Sequence, residues 1–434
     1  MFNRRKRHPS PQKQQVIEYF RKHVSPGKVA FFEKYGMPFV MGHREGAYLE
    51  DLDGKQKLYN LHCNGGVFNL GHRHPELIDV LTSALTTYDI GNHHLISQPR
   101  AELAALIARL MPGSLTYTIF GVSGGEAIDT ALKIARGFTG RRKIISARGG
   151  YHGHTGLAIL AGEDRYRKPF LLEDPEFIQV PFNNIPALRA ALHQDVAAVL
   201  LETIPATAGM LVPEETYLQE VKTLCQEAGA LLILDEVQAG LGRTGKLWAF
   251  EHFGVIPDIV VLGKGLSGGL YPISATVIDE RLERVFHPDP FIHVSTFGGA
   301  ELGCIVAKRV LEITATPSFL QHVNEVAQAL QKALQPLIRK HRLLKEVQGI
   351  GLMLALVLQD KLAGPVLTKT AYEQGLLLVY ANHNPSRVQL LPPLTMPLED
   401  IPDIVNRLDT ALRQAQRLLP LLKTREKIRT FFHG

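Results

Sequence analysis

Six short apolar runs in the middle of the chain constrain its fold more than any other feature. Most of them do not alternate between apolar and polar positions, and the intervals between them leave room for helices. The runs are LTYTIF (115–120), KIISA (143–147), VAAVLLE (196–202), ALLILDE (230–236), DIVVL (258–262) and ISATVI (273–278). A continuous apolar run is typical of a strand covered on both faces. We therefore predict an α/β domain with a mostly parallel central sheet covered by helices.

The chain has 434 residues, which is too long for one simple core. Near residue 312 the sequence changes to a long helical stretch, further strand-like runs and a closing helix after Pro397. In the N-terminal part, GAYLEDLDGKQKLYNL (46–61) predicts a hairpin with its turn at Asp53-Gly54. We expect a smaller α+β domain built from both chain ends. The predicted units are a basic extension (1–28), the N-terminal part of the small domain (29–70), the large domain (71–312) and the C-terminal part of the small domain (313–434).

The net charge of +6 comes from the N-terminal extension rather than from a basic face. Residues 1–28 contain eight Lys or Arg residues and one acid, so the rest of the chain is nearly neutral. We therefore expect no nucleic-acid partner. No apolar run reaches the ~18 residues that span a bilayer, so no membrane partner is expected either. The three separated cysteines favour a reducing, cytoplasmic location, although the Arg-rich start leaves an organellar transit peptide open.

In open α/β sheets, ligands bind beyond the carboxyl ends of the strands. The first run is followed there by Ser123, Gly124 and Gly125, and then by a predicted helix. Two glycines let a ligand approach the backbone, and a helix start presents unpaired N–H groups. The segment is either a simple turn or a phosphate-binding site.

Two charged residues follow the next apolar runs. Asp235 ends a run in which an unpaired carboxylate would be costly, so it needs a partner such as a salt bridge, a helix start or the cationic nitrogen of a ligand. Lys264 follows DIVVL in a glycine-rich loop. It either extends outward or is buried as a neutral amine, and a neutral amine can form a Schiff base with an aldehyde.

Together these residues describe one ligand, which has a phosphate, a cationic ring nitrogen and an aldehyde. Pyridoxal 5′-phosphate (PLP) has all three groups, and its enzymes combine a Schiff-base lysine with an aspartate on the pyridinium nitrogen. PLP is therefore the predicted cofactor.

Three longer motifs resemble one family. GYHGHTG (150–156), LILDEVQAGLGRTGKLWAFEHFGVIPDIVVLGKGLSGG (232–269) and STFGGAELGC (295–304) are similar to the class III, or omega, aminotransferases of the fold-type-I PLP enzymes. The resemblance extends from GAYLEDLDGK to LLPPLT, which is nearly the whole chain. It implies an enzyme that moves an amino group from an amine or amino acid to a keto acid by a ping-pong mechanism.

The resemblance also implies catalytic roles. Lys264 would form the Schiff base and afterwards move the proton between the substrate carbon and the cofactor. Asp235 would pair with the pyridinium nitrogen and keep it protonated, so that the ring accepts electrons from the substrate.

Further cofactor contacts follow from the same resemblance. Ser123, Gly124 and Gly125 would hold the phosphate, as their position already suggests. Tyr151 would stack on the ring with His152 beside it, and Gln238 would lie near the phenolic oxygen. Thr296 would reach the phosphate of the neighbouring subunit's cofactor, which implies a homodimer with two shared active sites.

Histidines alone do not predict a metal site. His72 and His74 lie in GHRHP, and His93 and His94 are adjacent. No cysteine or carboxylate follows at ligand spacing, and the family uses a similar LGH.HP segment as a turn. We expect no metal.

The sequence departs from the family where the substrate would bind. Many members have an arginine just before PPL that binds a substrate carboxylate bidentately. Here Gln389 occupies that place, and Arg387 lies two residues earlier, which in a strand is the same face. Arg387 either takes over the role or is a surface residue, in which case the substrate has no carboxylate there. Glu202 matches the family, but the following IPATAGM does not, so we expect an unusual substrate-side wall.

Two alternatives to a transaminase remain at this stage. PLP-dependent aminomutases, such as glutamate-1-semialdehyde aminomutase, and some racemases share the architecture, and ARGFTGRRKII resembles the aminomutase. GLGRTGKLWAFEH fits the transaminases better. The second alternative is a binding or regulatory protein built on an inactive enzyme scaffold. Such a protein would not need Lys264, Asp235 and the Ser123–Gly125 segment together.

Overall fold

A seven-stranded sheet organises the larger part of the fold. The computed structural model describes residues 9–433, with side chains from residue 9 to residue 423. The strands of this sheet are β4 (Leu115–Gly121), β5 (Lys143–Ala147), β6 (Phe177–Val180), β7 (Val196–Glu202), β8 (Leu231–Asp235), β9 (Ile259–Leu262) and β10 (Ser274–Asp279). Their order is β4-β10-β9-β8-β7-β5-β6, and β10 is antiparallel to both neighbours while the other pairings are parallel. The predicted α/β class with a mostly parallel sheet is confirmed, and β6 is the strand that the apolar runs did not reveal.

The apolar runs are continuous because helices cover both faces of this sheet. All residues of β7, β8 and β9 are buried. Alternate residues of β7 belong to different cores: Val199 and Leu201 pack in one, and Ala198 and Leu200 in the other. The covering and connecting helices are α4 (Pro75–Ala84), α5 (Gln98–Leu110), α6 (Gly124–Thr139), α7 (Asp164–Arg167), α8 (Ile185–Ala191), α9 (Tyr217–Ala228) and α10 (Glu301–Thr314).

Two four-stranded sheets contain strands from the chain ends. One has the order β1 (Met41–Glu45), β2 (Tyr48–Asp51), β3 (Lys57–Asn60) and β13 (Leu376–Leu377). The other has the order β11 (Leu344–Ile350), β12 (Met353–Leu358), β15 (Arg387–Leu390) and β14 (Val379–Tyr380). Helices α11 (Pro317–Lys340), α12 (Ala363–Glu373) and α13 (Ile401–His433) follow in the C-terminal part, and a turn-like α3 (Cys63–Gly66) leads out of the first sheet.

The two chain ends share one hydrophobic core. Tyr59 and Leu61 pack with residues such as Leu330 and Leu408. The predicted hairpin is confirmed, since β2 and β3 are antiparallel and Gly54 in the turn has a φ of 65°. The domain boundaries remain predictions. Within residues 9–433 no helix is long and apolar enough to cross a membrane.

Part of the predicted basic extension (1–28) is helical and packs on the rest of the chain. Residues 1–8, with four of its basic residues, lie outside the described part of the chain. The following residues form α1 (Pro11–His23) and α2 (Pro26–Lys34), each beginning with a serine cap and a proline. Lys13 on α1 is buried, and its Nζ lies 2.7 Å and 2.9 Å from the two carboxylate oxygens of Asp51 at the end of β2. This ion pair attaches α1 to the first small sheet.

We expect the substitution Asp51→Ala to destabilise the protein. It would leave the Lys13 ammonium buried without its carboxylate and the Val40 N–H without its acceptor. Breaking a buried ion pair from one side costs about 3–5 kcal/mol, so the thermal unfolding midpoint should fall clearly. The exposed Lys22→Ala on the same helix is the control and should stay within about 0.5 kcal/mol of wild type. Equal midpoints for the two variants would contradict the packing of α1 described above.

Candidate active site

Polar residues from the carboxyl ends of several strands meet in one cavity. Its volume is about 360 Å³, within the range of small-molecule sites. Nine residues singled out from the sequence line it, namely Ser123, Gly124, Gly125, Tyr151, His152, Glu202, Asp235, Gln238 and Lys264. The fold therefore brings together residues that are up to 141 positions apart in the chain, from Ser123 to Lys264.

Lys264 follows β9 in a strained backbone conformation. Its φ of 42° lies in the left-handed region, which is uncommon for residues with a side chain and recurs at functional sites. The side chain lines the cavity, with Nζ 2.5 Å from Gln238 Oε1. Burial lowers the pKa of the Lys264 amine, while the negative charges of Asp235 and Glu202 oppose that shift. The geometry favours a reactive amine.

Space for this lysine comes from a glycine in the N-terminal part of the chain. Gly65 has a φ of 67°, and a Cβ there would lie 3.3 Å from Gln238 Oε1 and 3.5 Å from Lys264 Nζ. A larger residue at position 65 would press on both groups. Sequence reasoning did not identify Gly65, because only the folded chain places it beside Lys264.

Asp235 is fixed in orientation at the end of β8. One carboxylate oxygen, Oδ2, lies 2.9 Å from His152 Nδ1, and the other accepts a hydrogen bond of 3.0 Å from the Val237 N–H. Both side chains are buried. His152 Nε2 and Gln238 Nε2 are buried too, and neither has a hydrogen-bond partner among the residues that the structure describes. Buried polar atoms without partners are uncommon, and a ligand in the cavity can supply them.

Ser123 and the two glycines form the start of the long helix α6. Ser123 caps the helix by accepting a hydrogen bond of 3.2 Å from the Glu126 N–H. Neighbouring side chains leave little room for a larger residue at either glycine. A Cβ on Gly125 would lie 2.7 Å from Thr155 Oγ1, and one on Gly124 would lie 3.1 Å from a Val237 methyl group. The glycines therefore keep a narrow space open in front of a helix N-terminus, where an anion is stabilised.

Glu202 places a carboxyl group in the cavity at the end of β7. Its oxygens accept hydrogen bonds from the backbone N–H groups of Tyr151, at 2.9 Å, and Ala206, at 3.2 Å. Burial raises the pKa of Glu202 to about 7. No cationic side chain in the described part of the chain bonds to it.

Three of the predicted site residues lie outside this cavity. Thr296 is exposed in the loop before α10. Arg387 on β15 donates through Nη1 to the Gly209 carbonyl, at 3.3 Å, and to Gln348 Oε1. Gln389 is buried and bonds to His62, whose pKa is lowered to about 4, mainly by burial. The single chain thus does not bring Arg387 or Thr296 to Lys264.

Several cavity residues were missed from the sequence. Val237, Thr155 and His154 line the cavity close to the predicted residues. Thr155 and His154 lie inside GYHGHTG, so the motif as a whole was a signal for them. In residues 9–433, no group of three or more His, Cys, Asp or Glu residues is arranged to hold a metal.

Comparison with known sequences identifies the family. The sequence model of the class III aminotransferases matches residues 32–412. The chain belongs to the class III aminotransferases. The resemblance seen in the motifs is thereby confirmed, and an aminotransferase activity with it.

Named relatives support the same conclusion. The chain is 52% identical over 405 residues to an uncharacterised aminotransferase from Archaeoglobus fulgidus, covering 93% of this chain and 95% of that protein. It is 35% identical over 426 residues to a putrescine aminotransferase from Pectobacterium atrosepticum, covering 94% and 90%. These relatives are aminotransferases, so the aminomutase alternative gains no support.

Solved structures of aminotransferases have the same fold as this chain. The ornithine aminotransferase of Toxoplasma gondii superimposes with a TM-score of 0.85 at 26% identity, covering 95% of this chain and 97% of that one. Class III aminotransferases depend on PLP, and a second structure of the T. gondii enzyme has partial occupancy of PLP at its active site. The fold-type-I expectation is confirmed.

The lowered pKa of Lys264 predicts selective chemical labelling. With cofactor removed, an amine-reactive reagent should modify Lys264 at a lower pH than the exposed Lys22, as followed by peptide mass spectrometry. Asp235 raises the pKa of this amine, so Asp235→Asn should move its labelling midpoint to still lower pH. A midpoint at or above that of Lys22 would contradict the environment described for Lys264.

Proposed function

We propose that this aminotransferase holds PLP in the cavity and takes its amino group from a primary amine that has no carboxylate beside the reacting carbon. When bound, PLP carries the amino group from the donor to a keto acid and accepts the electron pair left at the donor carbon. The observation that carries the donor class is the absence of any arginine from the residues that line the cavity.

The cavity residues fit PLP. The start of α6 suits the phosphate, and the glycines there leave room for it. Asp235, oriented by His152 and the Val237 N–H, would face the ring nitrogen and keep it protonated. Gln238 Nε2, which has no bonding partner in residues 9–433, would donate to the phenolic oxygen. Tyr151 would stack on the ring.

Lys264 would act on the donor as a base. Its Nζ, whose pKa burial lowers, would remove the proton from the donor carbon and would return one to the cofactor. Gln238 Oε1, 2.5 Å away, orients the amine before the donor arrives. The ping-pong cycle then uses the same group in reverse for the keto acid.

The substrate-side wall favours an amine donor. Gln389 itself supplies no charge for a carboxylate, and Arg387 is bonded to Gln348 and the Gly209 carbonyl instead. A Cβ on Gly209 would lie only 2.0 Å from Arg387 Cδ, so the arginine is packed tightly in that place. The putrescine aminotransferase relative acts, by its name, on an amine of this kind. The keto acid meets the same wall, so we expect it to bind weakly.

Single-turnover spectroscopy of the holoenzyme tests this proposal. Candidate donors are added one at a time without a keto acid, and the spectral change of the cofactor is followed. Primary amines should react, and α-amino acids such as alanine should react at least about a hundredfold more slowly, because their carboxylate would be buried without a charged partner. Lys264→Ala should lose both the absorbance of lysine-bound cofactor and turnover.

Two results would overturn parts of the proposal separately. If α-amino acids react fastest and Arg387→Met abolishes that reaction, Arg387 binds their carboxylate and the amine-donor assignment fails. If Lys264→Ala retains full turnover, the role of Lys264 is wrong whatever the donor.

We also propose a homodimer with two shared active sites in a cytoplasmic enzyme. Thr296 is exposed and lies outside its own chain's cavity, as expected for a residue that reaches a partner's cofactor phosphate. The three cysteines are free and buried, which suits a reducing compartment.

Mixing two inactive variants tests the sharing of sites. Lys264→Ala damages its own site, while Thr296→Glu would repel the phosphate in the partner's site. Random exchange gives mixed dimers with one intact site of two, so about one quarter of wild-type activity should return. If each variant homodimer is inactive and mixing returns nothing although mixed dimers form, the sites are not shared.

A further inference from the structure

The backbone before Tyr151 is held by side chains from three other parts of the chain. Gly149 lies two residues before Tyr151 in a left-handed conformation, with a φ of 78°. Its carbonyl oxygen accepts hydrogen bonds from Thr207 Oγ1, at 3.0 Å, and from His383 Nδ1, at 2.7 Å. Its N–H donates to the Glu163 carboxylate. We call Thr207, His383 and Glu163 the Gly149 clasp.

Thr207 belongs to the segment that departs from the family pattern, IPATAGM (204–210). The C-terminal part of the chain holds this segment in place. The His383 N–H donates to the Thr207 carbonyl at 3.0 Å, and Arg387 Nη1 donates to the Gly209 carbonyl at 3.3 Å. The departing segment therefore connects the C-terminal part of the chain to the clasp.

A row of rings makes a second connection between His383 and Tyr151. The ring centroid of Tyr166 lies 5.7 Å from that of His383 and 4.6 Å from that of His154. His154 in turn lies 5.0 Å from Tyr151. The guanidinium of Arg165 lies 4.6 Å from the Tyr166 ring centroid, so several neighbours restrain this ring. Since His154 and Tyr151 line the cavity, the restraint reaches the cavity from outside.

Tyr151 needs such support because no regular backbone structure fixes it. Residues 148–151 belong to neither a helix nor a strand. The Tyr151 N–H donates to Glu202 at 2.9 Å, and the residue lines the cavity. A ligand binds more tightly to a loop that is already ordered, because binding then need not order it. The clasp can supply this order before a ligand arrives.

We propose that Thr207 and His383 are positioning residues for the cofactor. Through Gly149 they hold Tyr151 in the orientation in which its ring stacks on PLP. The proposal rests on the placement of PLP given above, and it adds two residues that do not line the cavity. It also gives Arg387 a role, which is to hold the departing segment rather than a substrate.

Titration of the cofactor-free protein with PLP tests this proposal, with the circular dichroism of the bound cofactor as a second readout. Thr207→Val removes one donor to the Gly149 carbonyl, and His383→Ala removes the other. Each should weaken PLP binding about threefold, and the double variant about tenfold. The dichroism of the cofactor band should fall in the same order, because a mobile Tyr151 makes the surroundings of PLP less asymmetric.

Conservative variants separate the hydrogen bonds from packing. Thr207→Ser keeps the hydroxyl, and His383→Asn keeps an N–H near the position of Nδ1, so both should bind PLP within about twofold of wild type. The exposed Thr223→Val on α9 is the control and should bind PLP as wild type does. In the cofactor-free protein, amide hydrogen exchange of the peptide that contains Tyr151 should be faster in the double variant than in wild type.

Contrary outcomes separate the clasp from the proposed function. If the double variant has a lower thermal unfolding midpoint but binds PLP with wild-type affinity and dichroism, the clasp only stabilises the fold and the proposal is wrong. Equal losses of affinity in Thr207→Val and Thr207→Ser would show that the hydroxyl does not hold Tyr151. If wild type itself does not bind PLP, the proposed function fails, whatever the variants do.

Discussion

The burial of strands β7, β8 and β9 on both faces is the constraint on which the rest of this structure depends. Polar side chains within such strands would be costly, so charged groups appear where the strands end. Glu202 and Asp235 are the last residues of β7 and β8, and Lys264 follows β9 by two positions. Because these three strands are parallel neighbours, their ends meet at one edge of the sheet. The site is a consequence of how the core is built.

Proximity in a low-dielectric cavity then changes the chemistry of these groups. Burial alone would favour the neutral forms of Lys264 and Glu202. The negative charge of Asp235 works against that for Lys264 and in the same direction for Glu202, whose pKa is raised to about 7. The charge of Asp235 therefore acts on the pKa of Lys264 and of Glu202 alike.

Contacts between distant parts of the chain complete the site. Arg243, from the GLGRTG segment, is fully buried and donates to the Pro392 carbonyl at 2.6 Å and to Asn69 Oδ1 at 2.5 Å. It thereby joins the large sheet's loops to both chain ends. The turn near Gly65 brings the N-terminal part against Lys264, and His383 from the C-terminal part bonds to the Gly149 carbonyl. Residues far apart in the chain thus hold the elements around the site together.

The sequence by itself determined the sheet, the family and the positions of Lys264, Asp235 and the Ser123–Gly125 segment, because a buried strand and its polar end lie next to each other in the chain. It also showed that Gln389 replaces an arginine. Only the tertiary structure decided that Arg387 packs on Gly209, that α1 is attached through Lys13 to Asp51, and that the ring of Tyr166 lies beside that of His383. These contacts join residues from 38 to 217 positions apart, from Lys13–Asp51 to Tyr166–His383. Local spacing carries no record of such contacts, since they depend on how separate elements pack.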